Sequence, residues 1–184
     1  MNNLRLYIFT LACLINFQTA HANDYSYNLK TAPVSDLIGI VNVELDIAVS
    51  EHFTLGPSYL GFNYEHSEVD YDSDAFGIRA NYYFNKALSG GWLLSLSATY
   101  GDFEISKTDN NINYSTNTAT RIYTALAGYQ AMWNHFNLTF GIGASYFSLP
   151  STVTAVEGVD ILEINTSFLS GVVPNAEITL GWRF

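Results

Sequence analysis

The stretch FNLTFGIGASY, residues 136–146, decides the fold that this chain adopts. Every second residue is apolar or aromatic, beginning with Phe136 and ending with Tyr146, and the residues between them are Asn, Thr, Gly, Gly and Ser. Successive side chains of a β-strand point to opposite faces, so an alternation with a period of two predicts a strand. This strand therefore has one large apolar face and one small polar face.

The same alternation recurs along most of the chain and predicts an all-β fold. Strands are expected in residues 25–32, 38–49, 53–64, 74–84, 91–102, 117–133, 136–147 and 175–184. Within 53–64, Gly56 and Pro57 interrupt the ladder, so a bulge that switches the register is expected there. The segment 159–173 also has strand character. A hairpin outside the main sheet and a ten-stranded count are therefore both open alternatives to a plain loop.

The composition of the two faces separates two architectures. A soluble barrel or sandwich turns its apolar face inward, whereas a transmembrane barrel turns that face to lipid and packs small and polar residues inside. Here the polar faces carry mainly Gly, Ser, Thr and Asn, and the apolar faces carry large aromatic residues near the strand ends. The sequence therefore predicts a single antiparallel up-and-down transmembrane β-barrel of eight strands. A secreted lipocalin-like barrel is the soluble alternative.

Connections of alternating length predict the topology. The turns at 50–52, 85–91 and 134–135 are short, and the connections at 65–73, 104–116 and 148–174 are longer and polar. Short periplasmic turns and longer outer loops alternate in this way in transmembrane barrels. The topology then groups the aromatic residues into two belts, one at each membrane interface. The lower belt contains Phe53, Phe84, Trp92, Trp133, Phe136, Trp182 and Phe184, and the upper belt contains Tyr64, Phe76, Tyr100, Tyr123 and Tyr146.

The amino-terminal segment has the features of a secretory signal. Arg5 precedes an apolar run over residues 6–17, and the small-x-small triplet 20–22 follows it. A retained membrane anchor needs roughly 20 apolar residues, which is longer than this run. We therefore expect a signal peptide in residues 1–22 and a barrel domain in residues 23–184.

Charge and composition narrow the class of partner. The formal net charge is −10, aromatic residues make up 15% of the chain and charged residues only 13%. A chain without a basic stripe has nothing to neutralise phosphates, so nucleic acid is not an expected partner. So many aromatic side chains and so few charges indicate that the aromatic faces meet something other than water.

Taken together, the predicted signal, the eight alternating strands and the final Trp-x-Phe resemble the small outer-membrane β-barrel proteins of Gram-negative bacteria, the OmpA-domain and OmpX-like class. The resemblance covers the whole mature chain and identifies no subfamily. It implies an outer-membrane location after secretion through the inner membrane, with lipopolysaccharide and the barrel-assembly machinery as partners. It also implies an assembly signal in the last strand, at Ile178, Leu180, Trp182 and Phe184.

A set of charged residues lies on the faces that the pattern turns inward. It consists of Lys30, Glu44, Asp46, Arg79, Glu177 and Arg183. The interior of an eight-stranded barrel is just wide enough for side chains to fill, so these charges are expected to form an ion-paired plug. A narrow small-solute pore is the alternative.

Two groups of loop residues are weak candidates for a catalytic or metal site. His66, Asp72 and Ser73 are the residue types of a hydrolytic triad, but they crowd into one acidic loop without a scaffold to set their geometry. Asp70, Asp72 and Asp74 have the spacing of calcium ligands, but Ala75 stands where an EF-hand loop needs Gly. We therefore expect no catalytic, cofactor or metal site, and a structural or surface-interaction role through the outer loops. A lipid-modifying enzyme is the remaining alternative.

Overall fold

The computed structural model describes residues 26–37, 39–66, 69–109, 112–148, 152–157, 160–165 and 170–184. They form ten strands and one short helix. The strands are β1 (Tyr27–Thr31), β2 (Ile40–Ala48), β3 (Phe53–His66), β4 (Val69–Tyr83), β5 (Gly91–Asp109), β6 (Ile112–Trp133), β7 (Phe136–Ser148), β8 (Thr152–Glu157), β9 (Asp160–Asn165) and β10 (Gly171–Arg183), and the helix is α1 (Pro33–Asp36). The expected signal peptide lies outside the described residues and stays a prediction.

Eight of the strands close into one antiparallel barrel in the order β1-β10-β7-β6-β5-β4-β3-β2. The eight-stranded up-and-down barrel is therefore confirmed. Strands β8 and β9 pair only with each other, as a separate two-stranded sheet between β7 and β10. The ten-stranded alternative is wrong, and the hairpin alternative for 148–174 is correct.

The barrel closes between its first and last strands. Lys30 pairs with Gly181 and Thr31 with Leu180. At the lower end, the backbone N–H of Tyr27 donates to the carbonyl of Phe184 at 3.1 Å, and the N–H of Phe184 donates back at 3.0 Å. The two rings stack with centroids 5.8 Å apart. Phe184 therefore takes part in closing the sheet.

Strands β3 to β6 are longer than the alternation suggested, whereas β1 and β2 are shorter. β5 has 19 residues and β6 has 22, whereas about 9–11 residues cross a bilayer. The expected loops at 65–73 and 104–116 are wrong, because the β3–β4 and β5–β6 ladders continue through most of both. Buried Tyr71 and Phe103 extend the inward face upward and pack with ring centroids 6.1 Å apart. The charged residues on the outward faces of these extensions made them resemble loop sequence.

No register switch occurs at Gly56 and Pro57. The β2–β3 pairing has the same register below and above this point, from Ala48↔Thr54 to Ile40↔Phe62. A Cβ at Gly56 would lie 1.6 Å from the carbonyl oxygen of Leu45. Glycine is therefore needed because β2 approaches β3 closely here, and the expected bulge is wrong.

The lower mouth is covered by the turn between β4 and β5. Leu88, with a positive φ of 59°, turns into the barrel end and is almost fully buried. It packs with Ala87, Tyr83 and Leu93. Within the described part of the chain, no helix is both long and apolar enough to cross a membrane.

Candidate functional site: the barrel interior

The most deeply buried charges lie on the inward faces of β1 and β2. The exposed fraction is 3% for Lys30 and 1% for both Glu44 and Asp46. The Lys30 Nζ atom lies 2.9 Å from Glu44 Oε2 and 3.1 Å from Asp46 Oδ2. The Lys30 ammonium group therefore forms ion pairs with two carboxylates on the neighbouring strand β2.

Arg79 extends this group across the barrel. Its guanidinium on β4 donates two hydrogen bonds to the carboxylate of Glu177 on β10, of 2.7 and 3.0 Å. The same guanidinium lies 2.5 Å from a carboxylate oxygen of Glu44. A bidentate pair restricts both side chains, so Arg79 links the first half of the sheet to the last strand.

Asparagine side chains complete the network around Asp46. Asn81 donates to Asp46 at 2.8 Å and Asn28 donates to it at 3.3 Å. Asn137 in turn donates to Asn28 at 2.7 Å. These amides were not among the predicted site residues. Their positions on the polar faces could have identified them, because a buried carboxylate needs hydrogen-bond donors in addition to its ion pair.

Five of the six predicted interior charges therefore meet in one network, and the sixth lies apart from it. Arg183 sits at the lower mouth, where its guanidinium donates to the carbonyl of Leu88 at 2.7 Å and to that of Asn134 at 2.8 Å. It ties the closing strand to two lower turns. The alternation predicted its inward face, but its height in the barrel separates it from the ion pairs.

The outer surface has the opposite polarity to the interior. Ile142 and Leu96 are 71% and 63% exposed. Exposed aromatic side chains lie near the two ends of this apolar band: Phe53, Phe84, Trp92, Trp133, Phe136 and Trp182 at the lower end, and Phe76, Tyr100, Tyr123 and Tyr146 at the upper end. The side chain of Tyr64 lies outside the described ones. The outer band is thus apolar, with aromatic edges, around a charged centre.

The four residues of the predicted assembly signal all follow the outward register of β10. Leu180 and Trp182 are exposed, whereas Ile178 and Phe184 are half-buried. Trp182 packs edge-on against Phe136, with centroids 4.4 Å apart. The structure places these residues on one outer stripe.

The candidate triad does not come together. Asp72 points outward and accepts a hydrogen bond from Asn63 at 3.1 Å, whereas the neighbouring Ser73 points into the barrel. Successive strand residues face opposite sides, so these two cannot share a site. The side chain of His66 lies outside the described ones. Among the described residues, no group of three or more His, Cys, Asp or Glu side chains is placed to hold a metal ion.

The solved structures that are similar to this chain at low identity include the following three. The N-terminal β-barrel domain of Pseudomonas aeruginosa OprF has 12% identity and a TM-score of 0.49, over 86% of this chain and 96% of that one. A major outer membrane protein from Thermus thermophilus has 11% identity and a TM-score of 0.49, over 89% and 100%. Acinetobacter baumannii CarO has 12% identity and a TM-score of 0.47, over 90% and 100%.

Comparison with curated proteins finds no match. A family model described as "Protein of unknown function (DUF3575)" matches residues 6–166, which is most of the chain. The protein belongs to the DUF3575 family.

Proposed function

We propose that this protein is an integral outer-membrane β-barrel with a structural or surface-interaction role and no enzymatic activity. The observation that carries the proposal is the inverted distribution of polarity. The exterior is apolar with aromatic edges, and the interior holds a buried network of five charges. In water this arrangement would expose the apolar band, whereas lipid around the barrel favours an apolar outer face and leaves the interior as the place for polar side chains.

The position of the band on β5 supports a membrane-spanning barrel. Trp92 and Tyr100 mark its two edges, and the nine residues from one to the other match the 9–11 residues that a tilted strand needs to cross. Above Tyr100 the outward residues Asp102 and Glu104 are charged and exposed. The upper parts of the β3–β4 and β5–β6 hairpins would then project from the membrane into the external medium.

Membrane fractionation and heat-modifiable gel migration test the location. We expect the protein in the outer-membrane fraction, and we expect unheated samples to migrate faster than boiled ones because the closed barrel stays folded in detergent. Recovery in the soluble periplasmic or secreted fraction would support the lipocalin-like alternative instead.

Lipopolysaccharide is the proposed lipid partner, and a surface ligand would bind at residues 104–116 or 148–174. Deleting each segment and scoring adhesion or serum survival tests for a surface ligand.

The competing enzymatic role is tested by acyl release from lipopolysaccharide. Release that is lost in His66→Ala would overturn the non-enzymatic assignment.

The interior network predicts that the barrel does not conduct. Arg79, Glu44 and Glu177 bridge opposite walls, and Leu88 covers the lower mouth. We expect no steady conductance steps when purified protein is added to planar bilayers. Reproducible steps that persist after repurification would support the pore alternative.

The proposed assembly signal predicts different effects for two residues that share one contact. Phe184→Ala and Tyr27→Ala both remove the Tyr27–Phe184 ring stack. Only Phe184→Ala also removes the terminal aromatic residue that the assembly machinery would recognise. We therefore expect Phe184→Ala to lower the inserted fraction in cells several-fold, whereas Tyr27→Ala leaves it near wild type.

The control for this pair is the stability of barrels that are already inserted. Urea unfolding of purified protein in vesicles should give similar midpoints for both variants, because both lose the same stack. Equal insertion of the two variants in cells would show that Phe184 has no role in recognition.

A further inference from the structure

The barrel wall is incomplete in its upper half. β1 has only five residues, and its ladder with β10 ends at the pair Thr31↔Leu180. β10 continues upward to Gly171 with β7 on one side. Among the described residues, no strand pairs with its other side above Leu180.

The backbone of β10 directs polar groups towards this opening, and no backbone group of the described residues bonds to them there. Phe184 exchanges both backbone hydrogen bonds with Tyr27, so alternate residues upward from it, including Ile178 and Ala176, direct N–H and C=O groups towards the β1 side. Pro174, the next in this series, has no N–H to leave unpaired. Lipid cannot hydrogen-bond such groups, so this is the least stable part of the wall.

The helix α1 occupies the opening without hydrogen bonds to β10. It lies next to both β10 and β2. Its backbone bonds are made within the segment, from Ser35 and Asp36 to the carbonyl of Ala32, and none within the described chain joins it to β10. Val34 is exposed on its outer side. Towards β10, α1 is therefore held by side-chain packing, and its displacement from β10 breaks no backbone ladder.

A cavity of about 470 Å³ lies behind the opening. Pro174 and Ala176 face outward by register, yet both line this cavity, as does Ser35 of α1. The cavity therefore extends through the wall to the outer surface. Its volume is in the range of small-molecule sites, about 300–1,000 Å³.

The cavity lining changes in character with height. Its upper part is aromatic, with Phe62 and Phe103 stacked at 6.4 Å between centroids. Its lower part carries hydroxyl and amide groups, where Thr124 and Asn175 each hydrogen-bond to Ser145 at 2.8 Å. The Arg79–Glu177 pair forms the floor. Such a lining suits a molecule with an apolar chain and a polar head.

The charges below the cavity disfavour an anionic head. Two cations, Lys30 and Arg79, meet the three carboxylates of Glu44, Asp46 and Glu177, so the floor has no spare positive charge for an anion. The uncharged hydroxyl and amide groups that line the lower part of the cavity favour a head that carries hydroxyl groups.

We propose that the upper cavity binds a single-chain amphiphile with an uncharged hydroxylated head, of the monoacylglycerol class, which enters from the lipid between β10 and α1. This inference rests on the proposed membrane location. The head would meet the hydroxyl groups above the Arg79–Glu177 pair, and the chain would lie among the upper aromatic rings and leave through the opening.

Binding of tritiated 1-monolauroylglycerol to protein in phosphatidylcholine nanodiscs tests the site. We expect saturable binding of one molecule per barrel above the partition into empty nanodiscs. Val173→Trp, whose new ring fills the cavity, should weaken binding at least tenfold. Val172→Trp is the matched control, because its side chain is 72% exposed on the outer face of the same strand, and it should bind like wild type. Binding no greater than that of empty nanodiscs, or equal loss in both variants, would overturn the site.

The route of entry is tested by closing the opening reversibly. Ser35→Cys and Ala176→Cys are combined with Cys13→Ser and joined by a disulfide-containing bismaleimide. We expect loading to slow at least tenfold when the two residues are joined and to recover on reduction in the same sample. Unchanged loading would overturn lateral entry. Heat-modifiable migration of the same nanodiscs reports insertion separately, so a barrel that inserts without binding contradicts this inference alone.

Discussion

Arg79→Met is expected to lower the free energy of unfolding of the inserted barrel by about 3–5 kcal/mol. Methionine keeps much of the length of the side chain but removes both hydrogen bonds to Glu177 and the ion pair with Glu44. Glu44 keeps Lys30, whereas no other ion pair of Glu177 exists within the described chain. A buried carboxylate without a counter-charge is the main cause of the loss. Urea unfolding in phospholipid vesicles, followed by tryptophan fluorescence, measures it.

Two further variants isolate that cause. Arg121→Met makes the same substitution on the exposed outer face of β6 and should change stability by no more than about 0.5 kcal/mol. The double variant Arg79→Met/Glu177→Met removes the orphaned carboxylate together with its partner. It should be more stable than Arg79→Met alone, because replacing a whole buried pair by apolar residues is often neutral. A double variant less stable than the single one would contradict the unpaired-charge explanation.

Leu96→Lys is expected to destabilise the barrel in lipid by about 2–4 kcal/mol. Leu96 is 63% exposed and lies midway along β5 between Trp92 and Tyr100. If lipid surrounds the band, this position is near the bilayer centre, where a lysine ammonium group loses its hydration. In a soluble barrel the same substitution would replace an exposed apolar residue by a charged one, at little cost. The size of the effect thus distinguishes the two locations.

The matched control for Leu96→Lys is Asp102→Lys, on the same face of the same strand but above the aromatic edge. It places a lysine outside the apolar band and removes a like-charge pair, since Asp102 lies opposite Asp74 in the β4–β5 ladder. We expect a change within about 1 kcal/mol in vesicles. Equal destabilisation by both lysines would contradict a membrane boundary between these residues.

Local sequence determined the orientation of side chains in the strands. In 74–84, 91–102, 136–147 and 175–184, every fully buried residue lies on the face that the alternation turns inward. A strand alternates its side chains regardless of its partners, so this information lies in each short segment by itself. The alternation also placed Arg79 and Glu177 on inward faces.

Strand length was harder to predict, because it depends on pairing outside the apolar band. Asp70 and Asp72 resembled loop sequence, yet they continue β4 because the ladder with β5 extends to Val69↔Lys107. Glycine usually interrupts strands, but Gly56 lies where β2 approaches β3 closely and not at a bulge. In both cases the neighbouring strand decided the outcome.

The tertiary structure alone decided which inward residues meet. Arg79 and Glu177 are 98 positions apart, and their contact depends on the stagger of eight strands around the closed barrel. The same stagger places Arg183 at the lower mouth, away from the ion pairs. Sequence by itself thus determined what these four segments turn inward and outward. Closure of the sheet determined the heights at which those side chains meet. Partners across a barrel depend on the stagger between all eight strands, which the sequence of one strand does not specify.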